Sequence, residues 1–390
     1  MRWTGFPIYL LDRVRLSQGQ IQGGFARSQA QPPVLSAAAF PHPPPSKLEP
    51  IVANCYLPLL GTSAAKSRQN QDQTFMEITL ESQADQAHWR REKIAFLALS
   101  AIEGLGFWNL HKIALSGKGF NSSLREPDEE LQKKIAEDFF RKTGDSDIAF
   151  AQENLWTLGI EQAHQLNKSG TTLIFKNEVG FPRKLKTTKD SPEWLFIQGN
   201  PGRLNDYSIA IVGTREPSDD GIILTKTLVA GLNNFKLNTI SGLATGIDQT
   251  AHLESIRYDI PTIAVLGTGI FLDYPKGSEK VRQKIIDHGG CIITEYLPHQ
   301  KSSAENFVRR NRIQAALCDT LIPVEWKIKS GTAHTVGFAS KYNKKIANIY
   351  LPKTYETRPE LAFSESKYGA QSFEMPANII NLLRFAFLPR

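Results

Sequence analysis

The sequence predicts an α/β fold in which a parallel sheet carries helices on both faces, preceded by a small helical domain. The observations that predict it lie between residues 208 and 352. Short apolar runs recur there, within Ser208–Gly213, Thr239–Asp248, Thr262–Gly269, Cys291–Thr294, Thr320–Glu325 and Lys345–Ile349. Several of them end in Gly-rich turns, and helix-like spacers separate them. That alternation is the signature of βαβ units closing a parallel sheet.

A length of 390 residues allows two or three domains and an ample core. The formal charge of +7 and the isoelectric point near 9.1 suit an anionic partner, and suit an ordinary basic protein equally well. Cys55, Cys291 and Cys318 lack metal-ligand spacing and are too few for a disulfide framework, so a reduced, cytoplasmic setting is expected. No apolar run approaches the roughly 18 residues that span a bilayer.

Residues 1–75 differ from the rest. Pro32-Pro33 and Pro41-His42-Pro43-Pro44-Pro45 stand in a Ser/Gln/Ala-rich context, with Arg2, Arg13, Arg15 and Arg27 and almost no acidic residue. Disorder is the default for such composition. A transit peptide and a true start at Met76 are the alternatives. From about Arg91 the pattern turns helical, with Ile94, Phe96, Leu97 and Leu99, then Gly104-Leu105-Gly106, then Leu110 and Ile113. The spacing resembles a helix-hairpin-helix unit, whose turn can grip a phosphate. A plain packing hairpin explains it more simply. Amphipathic segments over residues 125–168 complete a helical domain, expected at 85–168, and a sheet domain is expected at 170–352. Beyond Pro352 no clear pattern and no winged helix appear, only a short amphipathic segment from Ile379 to Phe387.

Four turns are candidate anion holders: Gly213-Thr214-Arg215, Ser241-Gly242 to Gly246-Ile247-Asp248, Gly267-Thr268-Gly269 and Ser330-Gly331-Thr332. A strand running into a helix N-terminus leaves unpaired N–H groups and a positive dipole end facing the loop. Ser218 is positioned to cap the helix after the first turn, and Arg215 adds a bidentate donor. Four such turns at one carboxyl edge count for more than one, because open α/β sheets bind ligands there. The first strand lacks G-x-G-x-x-G and the chain lacks G-x-x-x-x-G-K-[ST], which argues against dinucleotide and NTP sites. Asp248 and His252 stand one helical turn apart, but two groups without a third are more often structural than catalytic. No catalytic residue, metal ligand or cofactor is therefore expected.

The run Phe307-Val308-Arg309-Arg310-Asn311-Arg312-Ile313 is the most unusual stretch. Arginines in the first turn of a helix oppose its dipole, and a polyanion would compensate. Phe307 offers a ring on which an unpaired base can stack. Lys301, Lys327 and Lys329 extend the positive rim. The competing expectation is an internal carboxylate pair, with Arg310 or Asn311 held inside the protein.

Taken in order, these pieces resemble the DNA-processing protein A (DprA/Smf) family. They include Phe181-Pro182, Gly199-Asn200, Gly213-Thr214-Arg215, Ser241 to Asp248 with His252, Tyr274-Pro275, Glu295-Tyr296, Phe307 to Ile313, and Lys329-Ser330-Gly331-Thr332 with Thr335. The resemblance implies an extended Rossmann-like fold that binds single-stranded DNA without catalysis, dimerises, and delivers the strand to the recombinase RecA in natural transformation. It implies a strand pocket of Arg215, Phe307 and the arginines around Asn311, flanked by Lys329 and the Ser330-Gly331-Thr332 turn. The chain departs from the family pattern at Thr245, where arginine is commoner, at Ala304, where many members carry lysine, and at Trp326, where a small residue is usual. The alternative is an enzyme acting on a nucleoside phosphate, like the Rossmann-type phosphoribohydrolases. Those carry a glutamate where this chain has threonine, in the turn running from Ser330 to Thr335.

Overall fold

The computed structural model describes residues 83–388, so the expectations for residues 1–75 and for Met76 fall outside the described residues. Five helices come first: α1 (Gln83–Ser100), α2 (Phe107–Ser116), α3 (Phe120–Arg125), α4 (Glu129–Thr143) and α5 (Ile148–Lys168). Their ends follow local chemistry. Asp128 accepts from Leu131 N and Asp147 from Ala149 N and Phe150 N, each capping the helix it precedes. Buried Glu92 of α1 accepts from Phe120 N at 2.6 Å and Asn121 N at 3.2 Å, so it occupies the first amides of α3. Leu105 and Leu110 of the hairpin are buried with Phe96, Leu97 and Leu99 in one core.

Nine strands follow: β1 (Thr171–Phe175), β2 (Trp194–Gly199), β3 (Ser208–Val212), β4 (Asn238–Ser241), β5 (Thr262–Val265), β6 (Cys291–Thr294), β7 (Thr320–Pro323), β8 (Lys345–Tyr350) and β9 (Gln371–Glu374). They form one sheet in the order β1-β2-β6-β5-β4-β3-β7-β8-β9. β2 runs antiparallel to β1 and β6, and every other pairing is parallel. The helices between them are α6 (Arg183–Lys186), α7 (Asp219–Leu232), α8 (Ile247–Arg257), α9 (Glu279–Asp287), α10 (Ala304–Leu317), α11 (Gly331–Lys341) and α12 (Pro359–Tyr368), and α13 (Ile379–Phe387) follows β9.

The period-2 alternation of β3 shows how the helices divide. Ala210 and Val212 face a core shared with Ile313, Ala316 and Leu317 of α10 and Val336 and Ala339 of α11. Ile209 and Ile211 face the other way, onto Leu224 and Leu228 of α7, Ile247 and Ala251 of α8 and Leu382 of α13. A one-residue slip in β3 would exchange these faces, so packing fixes the register. On the α7 side of the sheet, β2, β5 and β6 turn Trp194, Phe196, Ala264 and Ile292 into the core that contains α1 and α2.

The region beyond Pro352 is more regular than its sequence suggests. Arg358 donates to Val324 O and Ile349 O, holding the start of α12 against the ends of β7 and β8. β9 then adds to the sheet edge through Ala347–Tyr350. Its sequence, Gln-Ser-Phe-Glu, buries only Phe373 and so carries little apolar pattern.

Candidate nucleic-acid interface

Strand order reverses between β3 and β7, because β3 is followed by β4 on one side while the chain later returns on the other. Ligands of open α/β sheets bind outside the strand ends at such a reversal. A cleft of about 790 Å³ lies there, formed by the turns after β3 and β7, the first half of α10 and the start of α11. Gly213, Arg215, Phe307, Arg310 and Asn311 line it, together with the Ser330-Gly331-Thr332 turn.

At the lip, exposed Arg215 places its guanidinium 5.1 Å from the centroid of the Phe307 ring. Tyr274 meets the same ring at 5.2 Å, and Gly267 passes beneath it: a Cβ there would come within 2.5 Å of the ring. Gly246, with φ +82°, packs against the backbone of Thr214 and Arg215, where any side chain would collide. Ile247 N donates to Thr214 O at 3.1 Å and Thr214 N donates to Glu325 O at 2.7 Å, which clamps the turn that carries Arg215. The loop is held by these bonds and Arg215 at its tip is exposed. Two residues 92 positions apart thereby make one cationic, aromatic surface.

The other arginines behave differently, and the first-turn expectation is corrected. α10 begins at Ala304, capped by Ser303, which accepts from Asn306 N, so Arg309, Arg310 and Arg312 stand past its first turn. Arg312 forms two 2.6 Å bonds to the carboxylate of Glu295, and Arg309 reaches the same carboxylate at 3.3 Å. Arg309 also lies over the rings of Trp108, at 4.3 Å, and Phe107, at 5.3 Å, on the side of the helix away from the cleft. Arg310 donates to Gly242 O at 2.8 Å, to Val265 O, and to Asn311 Oδ1 at 3.1 Å. Arg310 and Arg312 are both 4% exposed. Internal carboxylates and carbonyls, not a polyanion, compensate these charges.

The anion-turn expectation also needs revision. Ser241 is buried and donates to Ile211 O at 2.6 Å, while Gly242 N donates to Asp248 Oδ2 at 3.1 Å. Neither donor is available to a ligand. Gly242 is glycine because the Arg310 guanidinium lies 2.2 Å from where a Cβ would stand. Asp248 ties this loop down; burial pushes its carboxyl above the usual range while Arg310 pulls it back. Burial, with Arg310 beside it, drives His252 down to about 3, and its Nδ1 shares a 2.7 Å bond with Thr262 Oγ1. Ser330 Oγ makes no cap bond, Thr332 Oγ1 donates to Gly213 O at 3.1 Å, and Asn311 Nδ2 donates to Gly331 O at 3.0 Å. Lys329 is exposed outside the cleft, and Lys327 lines it instead.

Sequence reasoning missed Gln314, a member of the cleft wall that resembles any other helix residue in the sequence, and assigned no role to Trp326. Their burial, 1% and 3% exposed, is a tertiary fact without a local signal. Among the described residues no helix is long and apolar enough to cross a membrane, and no cluster of three His, Cys, Asp or Glu could hold a metal ion.

The family described as DNA recombination-mediator protein A matches residues 172–384, more than half of the chain. The DNA processing protein DprA of Streptococcus pneumoniae is 37% identical over 169 residues, which is 43% of this chain and 59% of that protein. Protein Smf of Synechocystis is 28% identical over 270 residues, 68% of this chain and 65% of the relative. Each match therefore spans less than two thirds of the relative's own length. The X-ray structure of DNA processing protein A from Streptococcus pneumoniae superposes with a TM-score of 0.53 at 26% identity, covering 75% of this chain and 97% of that one. With the sheet order, the clamped Arg215 turn and these matches in hand, the chain belongs to the DNA recombination-mediator protein A family.

Proposed function

We propose that the protein binds single-stranded DNA in the cleft and acts as a recombination mediator, without catalysis, protecting incoming DNA and loading RecA during natural transformation. A homodimer acting in the cytoplasm belongs to the same reading. The single observation that carries it is the Arg215 guanidinium over the Phe307 ring at the sheet's reversal point. A base has a flat face and the strand has a charge on every phosphate. A ring beside an accessible cation answers both. An unpaired base entering between the guanidinium and the ring would exchange one stacking contact for two, and duplex DNA has no free base to offer. Gly213, Gly246 and the Ser330-Gly331-Thr332 turn shape the cleft around the strand. Arg310, Arg312 and Asn311, with Ser241 and Gly242, hold its walls from inside, and Arg309 joins α10 to α2.

The test is a gel shift with poly-dT against duplex of equal length at two salt concentrations. Poly-dT should bind more tightly, with affinity falling as salt rises. Equal affinity for both at both salts would overturn the reading. Incubation with nucleoside monophosphates, followed by assay for free base, tests the phosphoribohydrolase alternative, and no base release is expected.

A further inference from the structure

Among the described residues, Trp108 is the one tryptophan of five that is exposed, with 50% of its surface open at the second position of α2. A single exposed apolar residue needs no explanation. This one has an arginine laid over it: the Arg309 guanidinium lies 4.3 Å from the centroid of its ring. Phe107 and His111 are 5.3 and 5.7 Å away but stand at 87° and 70° to the indole, so neither lies flat against it. One face therefore carries a cation, and no ring among the described residues is stacked on the other.

The charge of that cation is only half answered. Glu295 offers one negative charge to two guanidiniums. Arg312 takes both of its oxygens at 2.6 Å, while Arg309 is left with one contact at 3.3 Å and 22% of its side chain exposed. The trio has a surplus of one positive charge, and Arg309 carries it toward solvent. The other carboxylate close enough to act on His111, that of Glu193, is bonded to Lys176 at 2.9 Å. Burial and Arg309 both hold His111 below its usual value, so near neutral pH it contributes a ring and no charge. Exposed Lys112 stands four positions after Trp108, on the same side of α2, and adds a second cation.

The arrangement repeats the one at the lip, where Arg215 lies over Phe307 at 5.1 Å. Phe307 and Arg309 are two positions apart on α10, more than half a turn around a helix about 10 Å across. The two pairs thus flank the first half of one helix, one in the cleft of the sheet and one against the helical domain. A strand leaving the cleft can round that helix in a few nucleotides, within the roughly 4–16 that a single-strand site covers.

We propose that Trp108 and Arg309 form a second base-stacking station for a single strand, set on the helical domain. The nature of the ligand rests on the strand-binding reading. On this assignment the helical domain is part of the interface, and the bound strand is longer than the cleft alone can hold.

The test uses the full chain with Trp108→Ala, Trp108→Phe, Arg309→Gln and Phe307→Ala, and dT oligomers of about 4 and about 16 nucleotides. Trp108→Ala should weaken the long oligomer on the order of tenfold and leave the short one unchanged, and Trp108→Phe should recover most of the loss. Its salt slope should stay as in wild type, whereas Arg309→Gln should make the slope for the long oligomer shallower by about one unit. Trp108 is exposed and Glu295 keeps both bonds to Arg312, so melting temperatures should hold in all three variants. With 5-iodouracil replacing single thymines of the long oligomer, ultraviolet light should cross-link the strand to the peptide carrying Trp108. Wild-type affinity of Trp108→Ala for the long oligomer, or cross-links confined to Phe307, overturns the station, and loss in Phe307→Ala would then leave the cleft reading standing alone. Loss in Trp108→Ala with normal binding in Phe307→Ala removes the cleft reading and keeps the station. An altered association state in Trp108→Ala with unchanged strand affinity would make this a protein contact and overturn the proposal. No binding of either oligomer by the unsubstituted protein would remove both readings.

Discussion

Arg215 and Arg312 are the same residue type, one on the cleft turn after β3 and one inside α10, and they do opposite work. Arg215 stands on a clamped turn with an exposed guanidinium and only a ring beneath it. Arg312 is 4% exposed and bonded twice to Glu295. Arginine has no fixed role in a basic run: the carboxylates within reach of each one decide it. A buried guanidinium without a partner is untenable, so Glu295 makes Arg312 structural. At Arg215 no such carboxylate bond forms among the described residues, and the cation stays exposed.

The largest effect that would break this contrast is at Glu295. Glu295→Ala leaves the buried Arg312 without a carboxylate, with only the carbonyls of Asp190 and Arg309 to accept from it, and removes the carboxylate partner of Arg309. Chemical denaturation should therefore show a loss of about 3–5 kcal/mol. A loss under 1 kcal/mol would mean that the pair is not what holds the wall. Acid should weaken the same region through His252. Its folded value, about 3, lies below the ordinary 6.5, so the unfolded chain binds the extra proton between those values. The stability is present above about pH 6.5 and is lost as pH falls toward 3, by a few kcal/mol. Asp248 acts in the opposite sense, because burial raises its carboxyl. Denaturant midpoints from pH 7 to 4 should decline less in His252→Asn than in wild type, and parallel declines would remove His252 from the account.

Phe307→Ala sharpens the contrast from the lip side. Stacking of a base is worth about 1–3 kcal/mol, so poly-dT affinity should fall by that amount while the salt dependence stays as it was. The ring is only partly buried, so the fold should tolerate the change better than Glu295→Ala.

The sheet could be read from the sequence because β3, β5, β6, β7 and β8 are short runs rich in apolar residues and flanked by turn residues, a pattern written locally. β9 could not, because an edge strand with one buried side chain leaves almost no pattern. Within the cleft, Arg215 and Phe307 were readable from residue type and position. The fates of Arg309, Arg310 and Arg312 were not, since Glu295, Gly242 and Val265 lie 14 to 68 residues away from the arginines they satisfy. Pairings of that range exist only once the sheet has closed. Gln314 was hidden for the same reason: only its burial in the cleft wall makes it unusual.

The smallest expected change is also the most direct test of the central claim, that the Arg215 cation at the lip meets the strand. Poly-dT affinity measured across salt concentrations in Arg215→Ala should give a log–log slope shallower by about one unit than wild type, with melting unchanged. An identical slope in the two proteins would contradict it.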